Sequence, residues 1–191
     1  ALFNCTSDVC WNTDISYEKS AVTETIAGIR DKIRPENNNY VMVASHRASW
    51  PEMPENSLPS FDHAIDAGAD VIELDVRVSS DGKLVVFSDA CVDRLTASTG
   101  PVNASSLGNL KSMTLKDSNG NATTETIPTL EEALTYLRTR VPVCVNLLET
   151  ANYDDHFRTI LKIASRTNTL PQLILKGTYQ LDDLKQQLAI T

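Results

Sequence analysis

From residue 40 onward the chain alternates between short apolar runs and segments of helical period, and this alternation limits its fold more than any other feature. Tyr40–Ala44 is a first strand candidate. Ser57-Leu58-Pro59 opens a helix whose Phe61, Ala64, Ile65 and Ala67 face inward, with Gly68 as its stop. Residues 71–78 (VIELDVRV) alternate by twos, and Ser80-Asp81-Gly82 is a turn before a strand at 84–87. Residues 88–127 read mostly as loop, with a short helical segment around 105–111. Thr129 and Glu132 form a capping box for a helix over 130–138. A strand at 143–148, a helix at 154–164, a strand at 173–176 and a helix at 181–188 complete the series. Strand and helix in alternation call for an α/β fold with parallel strands joined by right-handed crossovers.

The first 39 residues read as a separate extension, and 40–191 as the α/β domain. Residues 1–20 look polar and irregular. Residues 21–34 place Val22, Ile26, Ile29 and Ile33 at helical spacing, and Pro35 with Asn37-Asn38-Asn39 ends that helix. Lys and Arg number 17 against 25 Asp and Glu, for a net charge of −8. With a sequence pI near 4.8 and no basic cluster, nucleic acid is excluded as a partner. No apolar run reaches the roughly 18–20 residues of a membrane-spanning helix, so no transmembrane segment is expected.

Three glycosylation acceptor motifs begin at Asn4, Asn103 and Asn121, all in segments that read as surface. The chain begins at Ala1 without Met, as after signal-peptide removal. Together these predict a secreted, extracellular glycoprotein. Of the four cysteines, Cys5 and Cys10 are close enough to close a local disulfide, and Cys144 in its apolar run reads as a buried thiol. No Cys/His spacing suggests zinc.

The chemistry concentrates in residues 41–96. Glu73 and Asp75 stand two apart, so a strand projects both carboxylates from one face. Such a pair repels itself unless a proton or a divalent cation intervenes, and hard oxygen donors suit Mg²⁺ or Ca²⁺. A solvent-facing strand edge would show the same alternation. The apolar Val71, Ile72, Leu74, Val76 and Val78 leave few outward positions, however, and favour buried carboxylates with a task. His46-Arg47 at a strand end pairs a proton shuttle with a phosphate-binding fork, although such a pair alone reads more readily as structural. Glu55-Asn56 at a helix start fits either a site role or simple capping.

Taken together, HR, PEN, GADVIELDV, SSDGKLVVFSD and DRLT resemble, in order and spacing, the start of the glycerophosphodiester phosphodiesterases, and IPTLEEAL resembles their following helix entry. The resemblance implies a (β/α)8 TIM barrel, of which about four βα units stand here, since a full barrel takes about 250 residues. It implies a site at the C-terminal strand ends, one divalent metal (Mg²⁺ or Ca²⁺), and two histidines as an acid–base pair. His46 matches the first histidine, Arg47 the phosphate contact, and Glu55 (the PEN acid), Glu73 and Asp75 the acidic metal ligands. Lys176, ending a strand, matches a place for phosphate-facing residues.

Two departures stand out. Ser88-Asp89 replaces the second histidine's His-Asp, and a serine hydroxyl cannot deliver a proton to a leaving alkoxide near neutral pH. With Asn146 aligned to the family's strand asparagine, the later acidic ligand falls on Leu148, and Glu149 would serve only through a register shift or bulge. His63 reads as a helix-surface residue, and His156 as either a solvated helix residue or a stand-in for the second histidine. The last strand should carry an unpaired edge, which predicts a second chain or protomer that completes the barrel. Two functions follow as expectations. One is metal-dependent cleavage of a glycerophosphodiester or lysophospholipid, with activity reduced or lost; the other is a secreted pseudoenzyme that binds a phosphorylated ligand or a protein.

Overall fold

The computed structural model describes residues 3–6, 9–12, 41–48, 51–149 and 151–176. In chain order these form β1 (Phe3–Thr6), β2 (Val9–Asn12), β3 (Ala44–His46), α1 (Leu58–Asp66), β4 (Val71–Val78), β5 (Leu84–Val86), α2 (Leu107–Lys111), β6 (Thr114–Lys116), β7 (Ala122–Thr126), α3 (Leu130–Leu137), β8 (Val143–Leu147), α4 (Tyr153–Arg166) and β9 (Leu173–Lys176). The expected helices over 21–34 and 181–188 lie outside the described residues. Among the described residues no helix is long and apolar enough to cross a membrane.

Strands β3, β4, β8 and β9 lie side by side in parallel, with helices connecting them, which is the opening half of the (β/α)8 pattern. The strand expected over 71–78 forms over those residues, and its alternation sets the layers. Ile72, Leu74 and Val76 pack outward against Phe61 of α1, Leu130, Leu134 and Leu137 of α3, and Ile160 of α4, all buried in one cluster. Each such side chain contributes roughly 1.5–3 kcal/mol of transfer free energy, so this layer anchors the sheet. Glu73, Asp75 and Arg77 are left on the opposite, inner face. The antiparallel β5 shares an edge of β4 with β3: β3 pairs residues 71–73, and β5 pairs residues 76–78.

The helices start where the sequence offers oxygen acceptors. Ser57 and Ser60 form a capping box on α1, and Thr129 and Glu132 form the expected one on α3. Ala67, expected to face inward, is instead the exposed C-cap of α1, followed by Gly68 at φ +91°.

Residues 88–127 are more ordered than their sequence suggests. Phe87, Val92, Leu95, Val102, Leu110, Leu115 and Ile127 bury themselves with Val85 in a second core. Above it β6 and β7 form a hairpin around Asp117–Asn121, closed by Asp117 Oδ1, which accepts from the amides of Asn119 and Asn121. Alternation could not reveal this hairpin, because Leu115 is its single fully buried residue.

Two expectations about the ends need correction. Residues 3–6 and 9–12, read as irregular, form an antiparallel hairpin with Cys5 directly opposite Cys10. Strand β2 then pairs antiparallel with β9, so the edge expected to be bare is occupied. Among the described residues, the edge of the parallel ladder without a strand beside it is that of β3, where Val41 and Val43 are exposed.

Candidate active site

Strand β3 delivers His46 to the C-terminal end of the sheet, and the chain then turns sharply. Arg47 and Ala48 both take positive φ, 59° and 45°, a conformation that costs L-residues free energy and persists only where surroundings impose it. Here the Arg47 amide donates to the Glu73 carbonyl (2.8 Å), and the Asn56 amide donates to the Arg47 carbonyl (2.7 Å). These bonds pin the loop against β4 and turn the Arg47 side chain over the carboxylates.

The carboxylates are held from the neighbouring strands. Glu73 lies opposite His46, Asp75 lies opposite Asn146, and Asn146 lies opposite Lys176. Asn146 Nδ2 donates to Asp75 Oδ1 at 2.8 Å. His46 Nε2 is 3.7 Å from Asp75 Oδ2 and 3.7 Å from Glu73 Oε1. Arg47 Nε lies 2.7 Å from Asp75 Oδ2. Its N–H, however, is directed to His46 Nε2 (3.3 Å), so the contact with Asp75 is electrostatic and Oδ2, fully buried, accepts no hydrogen bond. Accepting that bond places the imidazole proton on Nδ1 and keeps a lone pair on Nε2.

The ligand atoms of His46, Glu73 and Asp75 lie within 4.8 Å of one another. Two carboxylate oxygens, one of them buried without a hydrogen bond, beside an imidazole lone pair could hold a divalent cation, and the oxygen donors favour Mg²⁺ or Ca²⁺. The expected inward pair of acids is therefore present. Beneath it Cys144 is a buried free thiol, pushed up to about 12 by burial first and then by the charge of Glu73.

Glu55, expected as a third acidic ligand, lies outside this group. Its Oε1 accepts from Arg94 Nη2 (2.7 Å), Arg47 Nη1 (3.2 Å) and the Ser88 hydroxyl (2.5 Å), and its Oε2 accepts from Arg94 Nη1 (3.1 Å). Burial pushes the Glu55 carboxyl up, but the hydrogen bonds from Arg94 and Ser88 and the charges of Arg94 and Arg47 outweigh it and hold it below the usual range. Arg94 also grips Asp89 through two bonds, 2.6 and 2.9 Å. The sequence carried Arg94 only as part of DRLT; nothing in its spacing showed that it reaches back across the chain to Glu55.

The two departures have definite structures. Ser88 is buried, with its proton directed at Glu55. The β4–β8 ladder runs from Ile72↔Val143 to Val76↔Leu147 without a shift, and the Leu148 amide continues it to the Val76 carbonyl at 3.0 Å. No bulge brings Glu149 to the metal group; its Oε1 accepts instead from Arg77 Nη1 at 3.3 Å, and Arg77 Nε donates to the Ser88 carbonyl at 3.0 Å. Lys176 extends from β9 to the carboxylates, with Nζ 3.0 Å from Glu73 Oε1. His63 lies half-buried on α1, and His156 lies in the first turn of α4.

The family model described as "Glycerophosphoryl diester phosphodiesterase family" matches residues 46–181, and the chain belongs to this family. A glycerophosphodiester phosphodiesterase of Caldanaerobacter subterraneus is 40% identical over 92 residues, which are 48% of this chain and 38% of that protein. A glycerophosphoryl diester phosphodiesterase structure from Parabacteroides distasonis superimposes with a TM-score of 0.68 at 24% identity, covering 82% of this chain and 52% of that one, a likeness of fold. An Oleispira antarctica phosphodiesterase, solved with the product sn-glycerol-3-phosphate, gives 0.58 at 26% identity, covering 66% and 53%. The chain spans 38%, 59% and 43% of the length of three curated relatives it matches.

Proposed function

We propose that this site binds Mg²⁺ or Ca²⁺ through Glu73 and Asp75, with His46 beside the ion as the base, and takes a glycerophosphodiester or lysophospholipid that it cleaves slowly. The observation that carries this reading is the buried Asp75 Oδ2, which accepts no hydrogen bond and faces His46 Nε2 at 3.7 Å beside Glu73. The cation would supply Lewis-acid polarisation of the phosphoryl group. Arg47, a planar fork at the mouth of the site, binds and orients the phosphate oxygens. His46 Nε2, with its lone pair free of a proton, accepts the proton of the attacking hydroxyl or water.

The leaving alkoxide must gain a proton, and no group of suitable acidity stands at position 88. The Ser88 hydroxyl is committed to Glu55, a carboxylate already neutralised by two arginines. Loss of one general acid typically costs roughly 10²–10⁴ in rate. Hydrolysis of glycerophosphocholine with added Mg²⁺ or Ca²⁺ is the test: a weak rate that vanishes in His46→Ala is expected, and equal rates in both proteins would overturn the proposal.

A second reading, a pseudoenzyme that binds a phosphorylated ligand, is favoured by the same Ser88–Glu55 bond and by Leu148 in place of an acid. Binding of sn-glycerol-3-phosphate without turnover would select it. The exposed Asn103 and Asn121 support a secreted glycoprotein, with Asn4 as the third acceptor, and a mass shift on deglycosylation tests this. The Cys5↔Cys10 register supports a local disulfide. The exposed valines beside the β3 edge support a partner strand there, from a second chain or protomer; light scattering that shows only monomer would exclude association between copies.

A further inference from the structure

Besides the groups that hold a metal or act on a proton, the site contains a cation that belongs to neither set. Register places Asp75, Asn146 and Lys176 in one row across three parallel strands, so Lys176 projects to the inner face with the acids. Its Nζ lies 3.0 Å from Glu73 Oε1, the same oxygen that stands 3.7 Å from His46 Nε2. Arg47 stands in the same relation to Asp75, at 2.7 Å. Two carboxylates are thus matched by two cations, Arg47 and Lys176.

We infer that Lys176 is a resident counter-cation of the metal centre, which competes with the divalent ion for Glu73 and yields it when a phosphate enters. This rests on the metal-binding reading above and adds what the chain itself contributes to affinity. An ion coordinated to Glu73 Oε1 would lie within a few ångströms of the ammonium, and at so short a distance like charges repel strongly even at a high effective dielectric. One of them must leave. The β9 backbone is fixed by pairing on both sides, but the lysine is a flexible four-carbon stem with one polar contact here, and its side chain is more than a third exposed. Arg47 is held more firmly, by its second anchor on Glu55 (3.2 Å) and the strained turn beneath it, so its charge stays beside Asp75 and lowers metal affinity alike in wild type and variants.

Two consequences follow. Metal binds less tightly than the two carboxylates would allow without Lys176. An anionic phosphate, by drawing the ammonium off Glu73, raises metal affinity, and linkage requires the metal to raise phosphate affinity by the same factor.

The test is calorimetric titration of the full chain with Mg²⁺ and Ca²⁺, with and without inorganic phosphate, for wild type, Lys176→Met and Lys176→Gln. Both variants should bind metal roughly tenfold tighter than wild type, the size of a partly screened charge repulsion. Phosphate should tighten metal binding several-fold in wild type and much less in the variants. The Gln variant guards against a packing or folding defect peculiar to Met, and thermal melts verify both. Unchanged or weaker metal affinity in the folded variants, or metal uptake by none of the proteins, overturns the inference. Because no turnover is read, a wild type that binds metal but hydrolyses nothing defeats the proposed activity alone.

Discussion

Two charged clusters flank Arg47, and they differ in how fully their polar atoms are used. In the first, around Asp75, one oxygen is fixed by Asn146 while the other is buried without a hydrogen bond, and the Asn56 Nδ2 nearby is likewise unpartnered. In the second, around Glu55, each carboxylate oxygen has a partner: Arg47, Arg94 and Ser88 on Oε1, and Arg94 on Oε2. Buried polar atoms are almost always hydrogen-bonded, so the Asp75 oxygen, held by charge alone, is the less satisfied of the two. The same arginine links this open half of the site to a saturated one, in which Ser88 stands.

The contrast breaks most visibly at position 88. Ser88→His would remove the hydroxyl from Glu55 and supply an imidazole, and the expected gain in phosphodiester hydrolysis is about 10²-fold or more. Steady-state rates on glycerophosphocholine measure it; no gain would mean that the saturated half is not what limits turnover. A smaller effect is expected in the open half. Asn146→Ala would free Asp75 Oδ1 to rotate, and removal of an orienting neighbour of this kind weakens metal binding by about 10–100-fold. Calorimetry reads that change, and an unchanged isotherm would show that Asp75 is oriented by its strand alone.

The saturated half should reveal itself in acid. Glu55 is held below the usual glutamate range near 4.5, so its stabilising effect is present above that pH and is lost as pH falls through the lowered folded-state value. Glu55→Gln should therefore melt a few degrees lower than wild type at pH 7, a typical shift for losing about 1 kcal/mol, with the gap closing toward pH 3. A gap independent of pH would assign the loss to packing. The smallest effect is chemical. Cys144, its thiol raised to about 12, should resist alkylation at pH 8, while the exposed Cys91 reacts. Peptide mapping after brief iodoacetamide treatment distinguishes them.

The open half was largely legible in the sequence, and the saturated half was not. Alternation in VIELDVRV placed Glu73 and Asp75 on one inner face because neighbouring residues on a strand must point opposite ways. The Thr129–Glu132 capping box was equally local. Glu55, by contrast, is expected at the metal from its motif, while two of its partners, Arg94 and Ser88, lie 39 and 33 residues away. No local pattern encodes a meeting of that range. The pairings of β1 with β2 and of β6 with β7 escaped for another reason: β6 and β7 bury almost nothing on a regular period, and β1 and β2 are four residues each. The β6–β7 pairing is fixed by turn chemistry at Asp117–Asn121.

The seat of β2 against β9 bears on anyone who trims this protein to its most recognisable stretch. A boundary drawn at residue 41 would discard the hairpin and expose the outward amides and carbonyls of Leu173–Lys176, and with them the flank of the strand that carries Lys176. Such a shortened version should clump, or recruit a neighbour to the bared flank, more readily than the longer one.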